Sequence, residues 1–265
     1  MNARTQGFPV EHCPEHHTAS TSLPSSHSAS WCHLFPGVSL NTTTYALELR
    51  NLAENDTGPY SLTVETATGS FTGGTSLQVF VPASDVTIVP SKTELVEFNS
   101  TVSLVCSASG STLSFIWLNG SSEVTAGERV QLTDSNSNLT ITSVIRGDTG
   151  PYQCEASNII SKVMSPPLSL TIYYGPENVA VEAAPVGPFY SSGSNLTLTC
   201  SAESSPAAEF QWAVNGAELG EMGHELRLSN IQSSQSGNYT CIAHNKQSLR
   251  YSTSEPINIT VLGGL

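Results

Sequence analysis

Polar and apolar residues alternate along much of this chain with the period of two that a half-buried strand requires. In Thr101-Val102-Ser103-Leu104-Val105-Cys106 one face carries Val102, Leu104 and Cys106; in Asn195-Leu196-Thr197-Leu198-Thr199-Cys200 it carries Leu196, Leu198 and Cys200. Short apolar runs follow, Phe115-Ile116-Trp117-Leu118 and Phe210-Gln211-Trp212-Ala213-Val214, and read as the next strand of each region. Each region then reaches a second cysteine through Tyr152-Gln153-Cys154 or Tyr239-Thr240-Cys241. Asp56-Thr57-Gly58-Pro59-Tyr60 recurs as Asp148-Thr149-Gly150-Pro151-Tyr152, 92 residues on, and a strand-like run precedes each copy, Tyr45-Ala46-Leu47-Glu48-Leu49 and Asn138-Leu139-Thr140-Ile141. A repeat of this length marks tandem modules. Residues 1–37 differ, being rich in His, Ser, Thr and Pro without periodicity, and are expected to be disordered. Trp31 lies there with no strand pattern around it, so it is not read as a core residue.

The order Cys, Trp, Tyr-x-Cys occurs twice, with Trp117 eleven residues after Cys106 and Trp212 twelve after Cys200. That order matches the immunoglobulin sandwich, whose two cysteines lie on facing sheets under the tryptophan while the tyrosine hydroxyl ties the corner before the second cysteine. Bridges Cys106–Cys154 and Cys200–Cys241 follow, each closing a loop of about 40 to 50 residues and contributing roughly 4 kcal/mol. Trp117, Trp212, Tyr152 and Tyr239 are the matching core and corner residues. The expected fold class is all-β, tandem immunoglobulin-like sandwiches with a disordered tail. The boundaries read as a tail over 1–37, a partial variable-like domain without a disulfide over 38–82, and constant-like domains over 83–173 and 174–262. In the partial domain Leu62 stands where the next copy has Cys154, and only the back half of a sandwich is present. The joints Val81-Pro82-Ala83-Ser84 and Tyr173-Tyr174-Gly175-Pro176 are short enough for a semi-rigid string of modules.

Composition narrows the function. Charged residues are 12% and aromatics 7%, with abundant Ser and Thr, a mix closer to extracellular β proteins than to cytosolic enzymes. Nine Lys plus Arg against 22 Asp plus Glu, a formal charge of −13, argue against nucleic acid and anionic membrane surfaces as partners. No apolar run reaches the roughly 18 to 20 residues of a membrane span. Neither a secretory signal nor a lipid-anchor tail is read in the chain, so both ends look cut and any anchor belongs to a segment outside it. Eight Asn-x-Ser/Thr sequons, at Asn41, Asn55, Asn99, Asn119, Asn138, Asn195, Asn238 and Asn258, imply a secretory-pathway glycoprotein; Asn55, followed by Asp56, is the weakest acceptor. Asn99, Asn138, Asn195 and Asn238 have opposite parity to neighbouring core residues, which turns their side chains to solvent. Cys13, His16, His17, His27, Cys32 and His33 are metal-ligating types, but no Cys-x-x-Cys pair or folded frame gathers them, and they read as a His-rich tail. No Gly-x-Ser-x-Gly elbow or glycine-rich phosphate loop is present. No enzyme activity, cofactor, metal or small-molecule substrate is expected.

From about residue 40 to 262 the chain resembles the carcinoembryonic-antigen-related cell adhesion molecule (CEACAM) family of the immunoglobulin superfamily. The resemblance is carried by Tyr174-Gly175-Pro176, Asn195-Leu196-Thr197-Leu198-Thr199-Cys200, Trp212-Ala213-Val214-Asn215-Gly216, Ser236-Gly237-Asn238-Tyr239-Thr240-Cys241 and Ala243-His244-Asn245. Family N-terminal domains lack the disulfide and carry an Asn-Asp-Thr-Gly-x-Tyr-x-Leu run, matched by Asn55 to Leu62. The resemblance implies a cell-surface adhesion and recognition protein that binds proteins on opposing cells or copies of itself. The alternatives are a secreted recognition protein or decoy of the same fold, and an incomplete gene product. The family's adhesive face lies on the N-terminal domain, and much of it comes from middle strands this chain lacks, so homophilic binding does not follow for this polypeptide. Arg129 and Asp148 are placed for an ion pair that Gln235 cannot reproduce in the last domain.

Overall fold

The computed structural model describes the backbone of residues 18–23, 27–32, 38–40, 47–66 and 69–263 and the side chains of 48–60 and 69–263. Two compact units divide the chain. The first is Met1–Ser84 with Ala108–Leu113 and Ser157–Val163, and the second is Asp85–Ser107, Ser114–Ala156 and Met164–Leu265.

In the first unit, β1 (Thr18–Leu23), β2 (His27–Cys32), β5 (Gly58–Thr66) and β6 (Gly69–Leu77) form one sheet in the order β1-β2-β5-β6, and β3 (Val38–Leu40) pairs with β4 (Leu47–Leu49). The stretch 1–37, expected to be disordered, thus contains two strands; its remaining residues, Cys13, His16, His17 and His33 among them, lie outside the described residues. The register of β2 on β5 is Ser28↔Glu65, Ala29↔Val64 and Ser30↔Thr63. On its other side β2 pairs with β1, Thr18↔Cys32 and Ala19↔Trp31 among the pairs. Trp31 therefore lies in a strand that its flanking sequence did not suggest. Ser, Thr and Ala give weak alternation, and pairing to the neighbouring strand decides the structure instead. The joint at Val81 is tied within this unit: Val81 N donates to Ser111 Oγ at 2.8 Å, and Asn158 Nδ2 donates to the Val81 carbonyl at 2.8 Å.

The second unit holds the greater part of two sandwiches. The first has β12 (Val130–Thr133), β13 (Asn138–Ile141), β9 (Val102–Ser109) and β7 (Ser84–Pro90) in that order, facing β11 (Ser122–Glu123), β10 (Ser114–Asn119), β14 (Tyr152–Asn158) and β15 (Ser161–Met164). In the last, β21 (Glu225–Leu228), β18 (Leu196–Ser205) and β16 (Thr171–Ala184) face β17 (Phe189–Ser191), β24 (Ile257–Leu262), β22 (Gly237–Asn245), β19 (Glu209–Val214) and β20 (Ala217–Met222), with β23 (Arg250–Thr253) also on β22. The long β16 crosses the expected boundary at 173/174. Its first residues pair in parallel with β8 (Glu94–Val96) and its later ones pair antiparallel with β18. Gly175 sits at φ +73°, and a Cβ there would strike the Glu203 carbonyl oxygen, so glycine is required where the chain passes from one sandwich to the next.

Alternation in sequence becomes burial in space. Val102, Leu104, Cys106, Leu139 and Ile141 are buried in one sandwich, and Leu196, Leu198, Cys200, Tyr239 and Ile259 in the other. Disulfides join Cys106 to Cys154 and Cys200 to Cys241, with Cα atoms 6.2 and 6.3 Å apart. Trp117 and Trp212, 1% and 0% exposed, keep their indole N–H groups satisfied on the carbonyls of Asn136 at 2.7 Å and Gly223 at 2.9 Å.

A capped turn precedes the corner tyrosine in all three domains. Asp56, Asp148 and Gln235 each accept from a backbone N–H three residues back, that of Ala53, Ile145 or Gln232, at 2.7 to 2.9 Å. Tyr60 and Tyr239 donate their hydroxyls to the carbonyls of Asp56 and Gln235, both at 2.7 Å. Burial, with the Asp148 charge adding, pushes the Tyr152 phenol up to about 12. Arg129 pairs with Asp148 at 2.8 Å; Gln235 keeps the cap and gives up the ion pair. Tyr239→Phe is expected to lower the stability of the oxidised chain by about 1 kcal/mol, the net value of one such bond. Equilibrium urea denaturation reads it, and an unchanged midpoint would remove the corner bond from the interactions that hold the last domain.

Candidate functional site

The outer face of the β22 sheet in the last domain is built by parity. Tyr239, Cys241 and Ala243 point into the core, so Asn238, Thr240, Ile242 and His244 point out. Ladder pairing extends this line across the sheet. Met222 stands opposite Gln211, Gln211 opposite Ile242, and Ile242 opposite Thr253, one row over four strands. In a second row Glu209 faces His244 and His244 faces Tyr251, whose ring stacks on the imidazole at 4.0 Å between centroids and 9° between planes. Met222 and Tyr251 are 70% and 69% exposed. Glu209 pairs with Lys246 at 2.5 Å, and Gln211 Nε2 donates to Glu218 at 3.0 Å. The far end of the face carries two sequons directly opposite each other, Asn238 and Asn258, joined by an Asn258 Nδ2 to Asn238 Oδ1 bond of 2.9 Å. One end thus sets Met222, Ile242 and the stacked His244 and Tyr251 among paired polar side chains, and the other is open to glycan.

The domain joint beside this face is charged and tightly paired. Glu97, 2% exposed in its side chain, accepts from Arg146 through the backbone N–H and Nε, each at 2.9 Å, and through a terminal nitrogen at 2.6 Å. The same guanidinium reaches Glu177 at 3.0 Å and lies 4.0 Å above the Tyr174 ring. Arg250 donates to the Glu97 carbonyl at 2.6 Å. Asn245, fully buried, donates to the carbonyls of Tyr174 at 2.9 Å and Ser205 at 3.0 Å. Sequence reasoning missed Glu97, Arg146 and the paired asparagines Asn158 and Asn245. The signal for the asparagines is the repeated Cys-x-Ala-x-Asn of Cys154–Asn158 and Cys241–Asn245.

The sequons divide by exposure. Asn55, Asn99, Asn195, Asn238 and Asn258 are exposed, Asn119 and Asn138 are half-buried, and Asn41 lies outside the described residues. Asn138 is engaged with the Asp134 carboxylate, and Asn195 accepts from the Asn230 N–H at 2.9 Å. Among the described residues no three His, Cys, Asp or Glu side chains converge as a metal ion would need, and no helix is long and apolar enough to cross a membrane. The arrangement offers surfaces and hydrogen bonds for contact.

The immunoglobulin domain family model matches residues 85–158 and 181–245. The chain belongs to the immunoglobulin superfamily. Within that superfamily the resemblance to CEACAM proteins is borne out by the cell adhesion molecule CEACAM16 of Mus musculus and of Rattus norvegicus, each 33% identical over 210 residues, 77% of this chain and 49% of theirs. The chain spans about half the length of these curated relatives. Among solved structures, the I-band fragment I67–I69 of titin aligns at TM-score 0.61 and 17% identity over 93% of this chain and 94% of its own. The mouse nectin-like molecule 4 ectodomain aligns at 0.52 and 20% identity over 82% of this chain and 77% of its own. Identities this low show the tandem immunoglobulin fold alone.

The Arg146 side chain, first through its hydrogen bonds, holds the Glu97 carboxyl below the usual carboxylate range. A depressed folded-state pKa gives a stability contribution that is complete above the unfolded value of about 4.3 and is lost as pH falls through the folded value. Stability is therefore expected to drop on acidification from about pH 5, and Glu97→Gln to flatten that part of the profile. Arg146→Ala leaves a buried carboxylate without its partner and is expected to cost about 3 kcal/mol at neutral pH. Urea titrations at pH 7 and pH 4 measure both, and an unchanged acid slope in Glu97→Gln would take Glu97 out of this account.

Proposed function

We propose that this chain is the extracellular, N-glycosylated recognition portion of a cell-surface adhesion protein, acting by protein contact through sandwich faces. The observation that carries the reading is the outer face of the β22 sheet, where Met222, Ile242, Tyr251 and His244 lie together at the end away from Asn238 and Asn258. Exposed aromatic and Met side chains are over-represented at recognition surfaces, and a glycan at the other end limits which approach a partner takes. The curated relatives named as cell adhesion molecules support the adhesive role, and the two disulfides suit an oxidising compartment. Domains over 38–82, 83–173 and 174–262 fit this use as modules that each present a sandwich face.

The test is adhesion of cells that display the chain behind a secretory leader and ahead of a membrane anchor, mixed with cells that lack it and with cells that carry it. Clustering is expected, and Tyr251→Ala with Met222→Glu is expected to reduce it at least tenfold, the equivalent of about 1.4 kcal/mol at a hot spot. Equal clustering by the folded variant removes this face from the mechanism. Absence of clustering with both cell types removes adhesion.

A further inference from the structure

Phe98 is an aromatic residue at φ +62° and is 60% exposed. The left-handed region disfavours bulky side chains, and a ring this exposed gains little compensating burial. The last domain shows what the turn ordinarily takes at this place. Phe98 N donates to the Val144 carbonyl at 2.7 Å, and Gly193 N donates to the Ile231 carbonyl at 2.8 Å. The return bonds correspond too, Val144 N to the Ser100 carbonyl at 3.0 Å and Ile231 N to the Ser194 carbonyl at 2.9 Å. Gly193 has φ +87°, so one sandwich fills the left-handed position with glycine and the other with phenylalanine.

The turn after Phe98 is one residue longer than its counterpart, because Asn99 stands between Phe98 and Ser100 whereas Ser194 directly follows Gly193. That extra residue opens the sequon Asn99-Ser100-Thr101. Its neighbours are held in place. Glu97 is buried under Arg146, Ser100 is 8% exposed and its Oγ accepts from Val96 N at 2.9 Å, and the N–H groups of Asn99 and Ser100 converge on the Val96 carbonyl at 3.2 and 2.9 Å. Phe98 and Asn99 are an adjacent exposed pair on a fixed turn.

We propose that Asn99 carries an N-linked glycan and that Phe98 is its docking platform, the ring packing against the C–H face of the first N-acetylglucosamine. The proposal rests on the extracellular reading above. In the attachment, Asn99 Nδ2 displaces a lipid-linked diphosphate from the anomeric carbon of that sugar: the C–N bond forms, the C–O bond to the diphosphate breaks, and the amide yields one proton to the host transferase. A pyranose presents weakly positive C–H bonds on one face, and an aromatic ring presents its negative face to them. The contact also takes apolar area of both partners out of water. Backbone strain at an exposed position gains a purpose once a modification supplies the missing contact.

The experiment uses the whole chain secreted from mammalian cells, with all other sequons intact. Peptide mass spectrometry reads occupancy at Asn99, and thermal unfolding reads stability in wild type and in the glycan-free variants Asn99→Gln and Thr101→Ala. Asn99 is expected to be occupied, and wild type to melt roughly 4–8 °C above both variants, the shift a contact of this class gives a small domain. Trimming to a single N-acetylglucosamine is expected to preserve the difference. Phe98→Gly carries the sign that decides: it is expected to lower the midpoint when the glycan is present and to raise it in the Asn99→Gln background, where only relief of strain remains. Phe98→Leu, which keeps side-chain bulk without the ring, is expected to lose the glycan's benefit. An unoccupied Asn99 beside occupied neighbours overturns the proposal while leaving the extracellular reading intact, and so does a glycan shift of equal size in Phe98→Gly. If no sequon is occupied, the extracellular reading falls and the proposal falls with it.

Discussion

The burial of a disulfide under a tryptophan between two facing sheets is the constraint from which the rest of each complete sandwich follows. Cys200 and Cys241 must face each other across the core with Trp212 beside them, and that fixes the parity of β18, β19 and β22 together. Period two then leaves no freedom for the other face, because a slip of one residue would carry Cys241 to solvent and Ile242 inward. The outward series Asn238, Thr240, Ile242, His244 is a consequence of the core and requires no further specification. The recognition surface and the glycan positions on it are therefore set by the same interaction that sets stability.

Much of this was legible in the amino-acid order, and the limit of legibility has a physical cause. Cysteine, tryptophan and tyrosine are informative because each has one tolerable place in a small sandwich, so their spacing carried the fold. The strand His27–Cys32 escaped that reading because Ser28, Ala29 and Ser30 alternate too weakly to mark a strand, and their pairing with Glu65, Val64 and Thr63 is a long-range fact. Glu97 and Arg146 failed it differently. They are 49 residues apart, and a glutamate preceded by Leu95 and Val96 reads as a solvent-facing loop residue until Arg146 is brought over it. Ion pairs assembled across a joint have no local periodicity to betray them.

The joint between the two disulfide-bonded domains shows how a chain with nine cations uses them. Arg146 serves Glu97, Glu177 and the Tyr174 ring at once, while Arg250 closes on the Glu97 carbonyl. A buried carboxylate is unfavourable unless its charge and its lone pairs are both met, and here one forked guanidinium meets both. Asn245 binds the strand at Tyr174 from the other side, as Asn158 binds the chain at Val81. The repeated asparagine fixes the polypeptide entering each domain, and at the second joint arginines join it.

The value of a repeated fold is that each copy is a control for the other. Where the two complete sandwiches agree, as in Trp117 with Trp212 or Tyr152 with Tyr239, the residue answers to the architecture and carries no message about function. Where they disagree at the same hydrogen-bonded place, the architecture has been satisfied in two ways and the difference requires a second cause. Asp148 against Gln235 is a mild case, since both cap the turn and only the ion pair to Arg129 is lost. Phe98 against Gly193 is a severe one, because the backbone angle that suits glycine is kept while a bulky aromatic side chain is largely exposed to water. A core cannot account for that choice, for the ring is not in the core, and so the cause lies in something that meets the turn from outside.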